Sequence, residues 1–238
     1  FILVDTGGLD RIIALNEADM TVTVEAGVTW DALRRFLQPK GYRVRCWGTL
    51  SGINATVGGG MSQNGVFWGA GNGTVVDSAL SLDVVLADGR IVATGSDFFR
   101  PYGPDVTGLF AADCGAFGVK ARATLRLVKE GRCAYGSFAF DTANQILTAM
   151  AGIAREGLAA ENFGFDPFLQ SQRLKRESLT SDARSLVTMM KAQGSLLKGL
   201  KEGAKVALAG RSFLDGVPFS LHCISERRRE TEAEADMA

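Results

Sequence analysis

The chain has 238 residues, 46% hydrophobic and 22% charged, enough to bury one or two cores and ordinary for a globular protein, which excludes a disordered or fibrous class. Its 26 Lys and Arg balance 26 Asp and Glu, so the sequence carries no basic footprint for nucleic acid or an anionic membrane surface. The longest apolar runs, at 2–4 and 82–87, fall far short of the roughly 20 residues that span a bilayer, and the start does not read as a signal peptide. A cytoplasmic location is the expectation, with no membrane association.

In chain order, the opening residues 1–5 read as an interior strand. Residues 20–27 alternate in strand fashion and end at Gly27, and Thr29 then stands as N-cap of a helix over 30–37. The next segment, Thr56-Val57-Gly58-Gly59-Gly60-Met61-Ser62-Gln63-Asn64-Gly65, reads as a loop. Glycine removes Cβ and permits positive φ, so such a run can bring bare backbone N–H groups against a polyanionic ligand. Residues 69–73 superficially look like a dinucleotide fingerprint but lack the preceding strand and the third-glycine spacing, so a Rossmann nicotinamide site is not expected.

Residues 82–87 form a buried-strand run. Asp88-Gly89 is a hairpin turn signal, and 90–94 is the partner strand. A second glycine-spaced loop follows, Asp113-Cys114-Gly115-Ala116-Phe117-Gly118-Val119. It leads into the alternation Val119, Ala121, Ala123, Leu125, Leu127. Two such loops in one short chain point to a large cofactor.

Beyond Gly131 the pattern changes. Helical spacing covers 142–155 and 182–193, extended runs occur near 135–140, 161–165 and 217–225, and an α+β layer results. The basic stretch 191–205 reads as a solvated helix face. Cys46, Cys114, Cys133 and Cys223 are widely separated with no CxxC pair, which suits buried reduced thiols rather than disulfides or zinc. His222 is the only histidine and sits in a strand-like alternation, as a structural or substrate-facing residue. No metal site is expected, and no GxSxG elbow supports a hydrolase triad.

The order of these motifs resembles the FAD-binding domain of the vanillyl-alcohol oxidase / p-cresol methylhydroxylase (PCMH-type) family over residues 1–131. The motifs in question are the strand ending Val24-Glu25-Ala26-Gly27-Val28, the helix, the glycine segment with Asn64-Gly65, Gly73-Thr74-Val75-Val76-Asp77, the 82–94 hairpin and the 113–119 loop. Residues 132–238 resemble part of the α+β cap domain of the glycolate oxidase and D-lactate dehydrogenase branch. The resemblance implies an α+β fold and FAD as cofactor. It places Leu50, Ser51, Gly52, Asn54, Ala55, Thr56, Val57, Gly58 and Gly59 against pyrophosphate and flavin, continued by Ser62, Asn64 and Gly65. Gly73, Val76 and Asp77 would lie near the adenosine half, and Asp113, Gly115, Gly118 and Val119 would also hold the nucleotide.

Where the family usually carries Gly-Ser-Glu-Gly, this chain has Ala112-Asp113-Cys114-Gly115. The resemblance also implies that a first pyrophosphate loop and a histidine-bearing C-terminal portion lie outside the chain, which is then expected to be a fragment that binds FAD weakly and self-associates. No catalytic residue is carried over. The implied activity is oxidation of a small hydroxylated substrate, a 2-hydroxy acid such as lactate or glycolate, by hydride transfer to flavin, with oxygen, a quinone or a cytochrome as electron acceptor. A catalytically silent binding module and a flavin oxidase of alcohols or sugars remain alternatives.

Overall fold

The computed structural model describes residues 4–46, 54–67, 69–98, 103–173 and 217–237. The expected helix at 182–193 and the basic stretch 191–205 lie outside these. So do residues 1–3, while Val4 and Asp5 are irregular and exposed, so no strand is seen at 4–5.

The first sheet is antiparallel, in the order β1-β2-β6-β4-β5, where β1 is Ile12–Asn16, β2 Thr21–Glu25, β4 Ala79–Val85, β5 Ile91–Gly95 and β6 Val119–Lys129. β6 is the organising strand. Its 11 residues pair with β4 on one edge, and on the other with β2 and then with β3, Tyr42–Val44. The β4–β5 hairpin turns at Asp88-Gly89 as its sequence indicates, with Leu86 N–H donating to the Arg90 carbonyl at 2.8 Å and Gly89 at φ +85°. Side chains alternate across the sheet, so Val22, Val24, Leu82, Val84, Ala123, Leu125 and Leu127 reach one face and form a core with α1.

Helix α1, Trp30–Leu37, begins where Thr29 Oγ1 accepts the Ala32 N–H at 3.1 Å, and it buries Trp30, Leu33 and Leu37. Spacing of three and four residues puts these three on one stripe.

The glycine segment corrects an expectation. It is not a loop but a helix, α2, Val57–Gln63, capped by Thr56, whose Oγ1 accepts the Gly59 N–H at 3.2 Å. A glycine-rich sequence has poor helix propensity, so tertiary contacts must hold α2. Val57 and Met61 are fully buried. A Cβ on Gly58 would lie 2.7 Å from the Ala26 Cβ, and one on Gly60 2.7 Å from the Trp30 ring. Two of the three glycines are therefore explained by close packing.

Two short helices complete the front of the chain, α3 at Val75–Ser78 and α4 at Val106–Leu109. Further along come β7 (Arg132–Phe140), α5 (Ala143–Glu156), β8 (Glu161–Phe165), α6 (Pro167–Arg173), β9 (Phe219–Arg227) and α7 (Glu230–Ala235). The three strands form a second sheet in the order β7-β9-β8. Two compact units result. One comprises Phe1–Tyr135, Ile153–Asn162 and Cys223–Ala238, and the other Gly136–Gly152 and Phe163–His222.

Within the first unit, Arg43 and Glu226 form a buried ion pair, side chains 7% and 8% exposed. Arg43 Nε donates to Glu226 Oε1 at 2.8 Å, and the Gly131 N–H donates to the same oxygen at 2.8 Å. In the second unit His222 stacks on Phe163 and touches Phe165, with ring centroids 5.4 and 5.1 Å away. The cysteines correct another expectation: Cys46 and Cys223 are buried, but Cys133 is only partly so and Cys114 is exposed.

Candidate functional site

The two glycine-spaced segments meet at the C-terminal end of α2. The Ala112 N–H donates to the Met61 carbonyl at 2.8 Å, and the Cys114 N–H to the Ser62 carbonyl at 3.0 Å. Residues 112–118 therefore lie against the same helix that carries Gly59 and Ser62. Asn64 ends α2 in the left-handed conformation, φ +51°, and its Oδ1 accepts the Val76 N–H at 3.4 Å. The Gly65 carbonyl accepts the Val75 N–H at 2.9 Å. These bonds join the 73–77 segment to the same edge. The structure thus brings 56–65, 73–77 and 112–119 together, as the sequence grouped them. Leu50, Ser51 and Gly52 lie outside the described residues.

Individual roles differ from the expectation of a backbone N–H cradle. The N–H of Val57 donates to the Val28 carbonyl and that of Gly58 to the Ala26 carbonyl, both at 2.8 Å. The Gly60 N–H goes to the Thr56 carbonyl at 2.9 Å. With Gly59 bonded to its cap, every N–H from 57 to 60 is spent inside the protein. Val57 is fully buried and Ala55 is partly buried, its carbonyl accepting the Trp30 N–H at 3.0 Å. Asn54 is exposed in a turn.

Gly59 stands apart from its neighbours. It is exposed, and a Cβ there would meet only the Thr56 hydroxyl at 3.2 Å. An exposed helix position is normally disfavoured for glycine by about 1 kcal/mol, and the described residues offer only this one hydroxyl contact against a side chain at Gly59, so it presents a bare surface. Gly115, φ +79°, likewise has open space where a Cβ would be. A flat or extended cofactor fits this surface by close contact with bare backbone rather than through the N–H groups of 57–60.

The polar side chains here hold the frame. The Asp77 carboxylate accepts the Thr74 N–H at 2.8 Å and its hydroxyl at 2.9 Å, a capping box at the start of α3. Gly73, φ +89°, precedes it, and a Cβ there would lie 2.9 Å from that carboxylate. Asp113 accepts the Gly115 N–H at 2.9 Å, the Phe117 N–H at 3.1 Å and the Lys120 ammonium. Burial works to raise the Asp113 pKa, but the bonds from Lys120 and the two N–H groups outweigh it and leave the carboxyl below its ordinary value. At Gly118 a Cβ would lie 2.6 Å from Val84 Cγ1, so the loop can approach β4 only without a side chain.

Lys120 was not legible in the sequence. The alternation from Val119 to Leu127 puts Val119 inside and Lys120 outside, yet Val119 is 40% exposed and Lys120 4%. The β4–β6 register shifts between Asp83 and Val84, so that Lys120 pairs with the fully buried Val84. Such a bulge re-aims a side chain to the other face. The only available signal was a lysine in a run whose parity the glycine before it could break.

A second feature lies at the far end of β6, about 30 Å away at roughly 3.3 Å per residue. A cleft of about 830 Å³ is lined there by residues that include Arg34, Arg43 and Arg132 together with Glu130, Glu226 and Glu230. Equal numbers of cations and anions do not suit a polyanion. The Cys133 thiol in its wall is pushed up to about 11, first by burial and then by the Glu226 charge.

Residues 1–95 match the family model described as FAD binding domain. The probable mitochondrial D-lactate dehydrogenase of Danio rerio is 35% identical over 167 residues, covering 62% of this chain and 32% of that protein. The glycolate oxidase subunit GlcD of Bacillus subtilis is 31% identical over 122 residues, covering 50% and 26%. The chain thus spans about a third or less of the length of these relatives. Among solved structures, an alkyldihydroxyacetonephosphate synthase aligns with a TM-score of 0.64 at 14% identity, over 96% of this chain and 39% of that one, which shows a shared fold. The glycine-bearing helix, the loop docked on its C-terminal end and these likenesses agree: over its first 95 residues the chain is similar to the FAD binding domain family, which points to FAD as the cofactor.

Proposed function

We propose that this chain forms the flavin-binding part of an FAD-dependent oxidoreductase that oxidises a small hydroxylated substrate, a 2-hydroxy acid such as lactate or glycolate. The observation that carries the flavin site is Gly59, exposed in a helix where, among the described residues, a Cβ would meet only the Thr56 hydroxyl at 3.2 Å. The substrate class is supported by the likeness to the D-lactate dehydrogenase of Danio rerio and the glycolate oxidase subunit of Bacillus subtilis.

FAD, when bound, supplies the hydride acceptor. The chain's own residues hold it. Gly59 and Ser62 offer the exposed side of α2, with Asn54, Ala55, Thr56, Val57 and Gly58 leading into it and Leu50, Ser51 and Gly52 assigned there by resemblance. Asn64, Gly65, Gly73, Val76 and Asp77 form the adjoining edge, and Gly115, Gly118 and Val119 belong to the docked loop and strand start, which Asp113 frames. Residues 1–131 are the proposed flavin-binding portion, and 132–238 part of a substrate cap.

The test is anaerobic. The chain is saturated with FAD, and D-lactate or glycolate is added while the flavin absorbance is followed. Bleaching, followed by recovery with oxygen, a quinone or cytochrome c, identifies substrate class and acceptor together. Stable FAD binding without bleaching by any 2-hydroxy acid, alcohol or sugar contradicts the proposed activity and leaves a flavin-binding module.

A further inference from the structure

We propose that Asp113 is a positioning residue, locked by Lys120, which sets the 112–118 loop against the end of α2 and so shapes the flavin-facing surface without itself touching the cofactor. The inference rests on the flavin reading of that surface but stands on separate geometry.

The Asp113 side chain is 1% exposed and the Lys120 side chain 3%. A carboxylate so enclosed presents nothing to a ligand, and its charge would repel the phosphates of FAD. Its oxygens are instead occupied by Gly115 N–H, Phe117 N–H and the Lys120 ammonium, so one side chain fixes two points of a seven-residue turn and ties them to β6. The flanking residues show why such a lock is needed. Ala112 and Cys114 both hold positive φ, +56° and +52°, in the left-handed region that residues with a Cβ rarely occupy. Such conformations persist only where the surroundings over-determine them. Here the surroundings are the Asp113 network on one side and the two N–H bonds to the Met61 and Ser62 carbonyls on the other. Lys120 can reach Asp113 because the register shift beside Val84 turns it inward. The bulge, the buried lysine and the loop acid are thus one device, and Cys114 and Gly115 are among the residues it leaves exposed.

The experiment compares the full chain with Asp113→Asn, Lys120→Met, the two combined, and Lys120→Arg. Two quantities are read: hydrogen exchange of the 112–118 amides in FAD-free protein, and FAD affinity by flavin fluorescence quenching. Exchange in α1 reports whether each variant is folded. The lock requires that Asp113→Asn and Lys120→Met each speed loop exchange at least tenfold with α1 unchanged, and each weaken FAD binding at least tenfold. Lys120→Arg should restore both. If a single variant does not fold, the double variant, in which no buried charge is left unpaired, shows the same two changes. Direct cofactor contact by Asp113 gives a different result, in which Lys120→Met leaves affinity and loop exchange at wild-type values, and that overturns the proposal. Should the wild-type chain bind no FAD while Asp113→Asn still frees the loop, the lock is sustained and the flavin reading falls.

Discussion

Three adjacent glycines in α2 do two different things. A methyl group on Gly58 or Gly60 would sit 2.7 Å from Ala26 or Trp30 atoms, whereas on Gly59 it meets only a hydroxyl at 3.2 Å. Overpacking a filled core costs about 1–3 kcal/mol, while glycine to alanine in a helix otherwise gains up to about 1 kcal/mol. Gly60→Ala, pressing on a rigid ring, should therefore lower stability by about 1–2 kcal/mol, and Gly59→Ala should leave it unchanged or slightly raised, both read by urea unfolding. His222 gives a pH-dependent counterpart. Ser220 Oγ donates to Gln170 Oε1 at 2.7 Å, so it accepts from His222 Nε2, and Nδ1 accepts from Ser137. Burial lowers the His222 pKa, so the folded state prefers the neutral ring. Stability is complete above the unfolded value of about 6.5 and declines as pH falls from there through the lower folded value. The melting temperature should drop between about pH 7 and 5 in the wild type and drop less in His222→Phe; equal slopes would remove His222 from the account.

At the scale of elements, local signals were enough where structure is local. The Thr29 cap and apolar stripe gave α1, the Asp88-Gly89 turn gave the β4–β5 hairpin, and helical spacing gave α5. The α2 segment looks like a loop in the sequence because its residues disfavour helix, and the contacts that hold it, Ala26 and Trp30, lie some thirty residues away in sequence. The inside-outside parity of β6 failed at Val119 and Lys120 for the same kind of reason, since a bulge is a property of two paired strands. Cys114 was read as buried although the turn presents it outward. The site was legible as a grouping of segments, but not in its division of labour between framing side chains and bare surface. Element pairing also depends on the buried Arg43–Glu226 pair, which joins β3 to β9. Removing one partner of such a pair costs about 3–5 kcal/mol because the other is left buried and uncompensated. Glu226→Gln should cost at least about 2 kcal/mol in unfolding free energy, and Glu226→Gln with Arg43→Met markedly less than the sum of the singles.

For the molecule as a whole, the two ends of one long strand border different features. The loop leading into the Val119 end of β6 docks on the C-terminal end of α2, and the Lys129 end borders a cleft of balanced charge. Thiol chemistry can read this separation. Cys114 is exposed, while Cys133 in the cleft is held at about 11 by burial, so a maleimide near pH 7.5 should label Cys114 well before Cys133. FAD should slow labelling of Cys114 and leave Cys133 as it was. Slowing at Cys133 alone would move the cofactor to the other end of the strand.

The central claim is that the exposed surface at Gly59 faces FAD, and the most direct measurement is an FAD titration of the wild-type chain beside Gly59→Leu, each with its urea unfolding curve. Among the described residues a side chain there meets only the Thr56 hydroxyl, so unfolding should stay within about 1 kcal/mol of wild type. FAD affinity should fall at least tenfold, because the side chain occupies the surface the cofactor covers. Equal affinity for FAD in a stably folded Gly59→Leu protein would contradict the account and place the cofactor elsewhere.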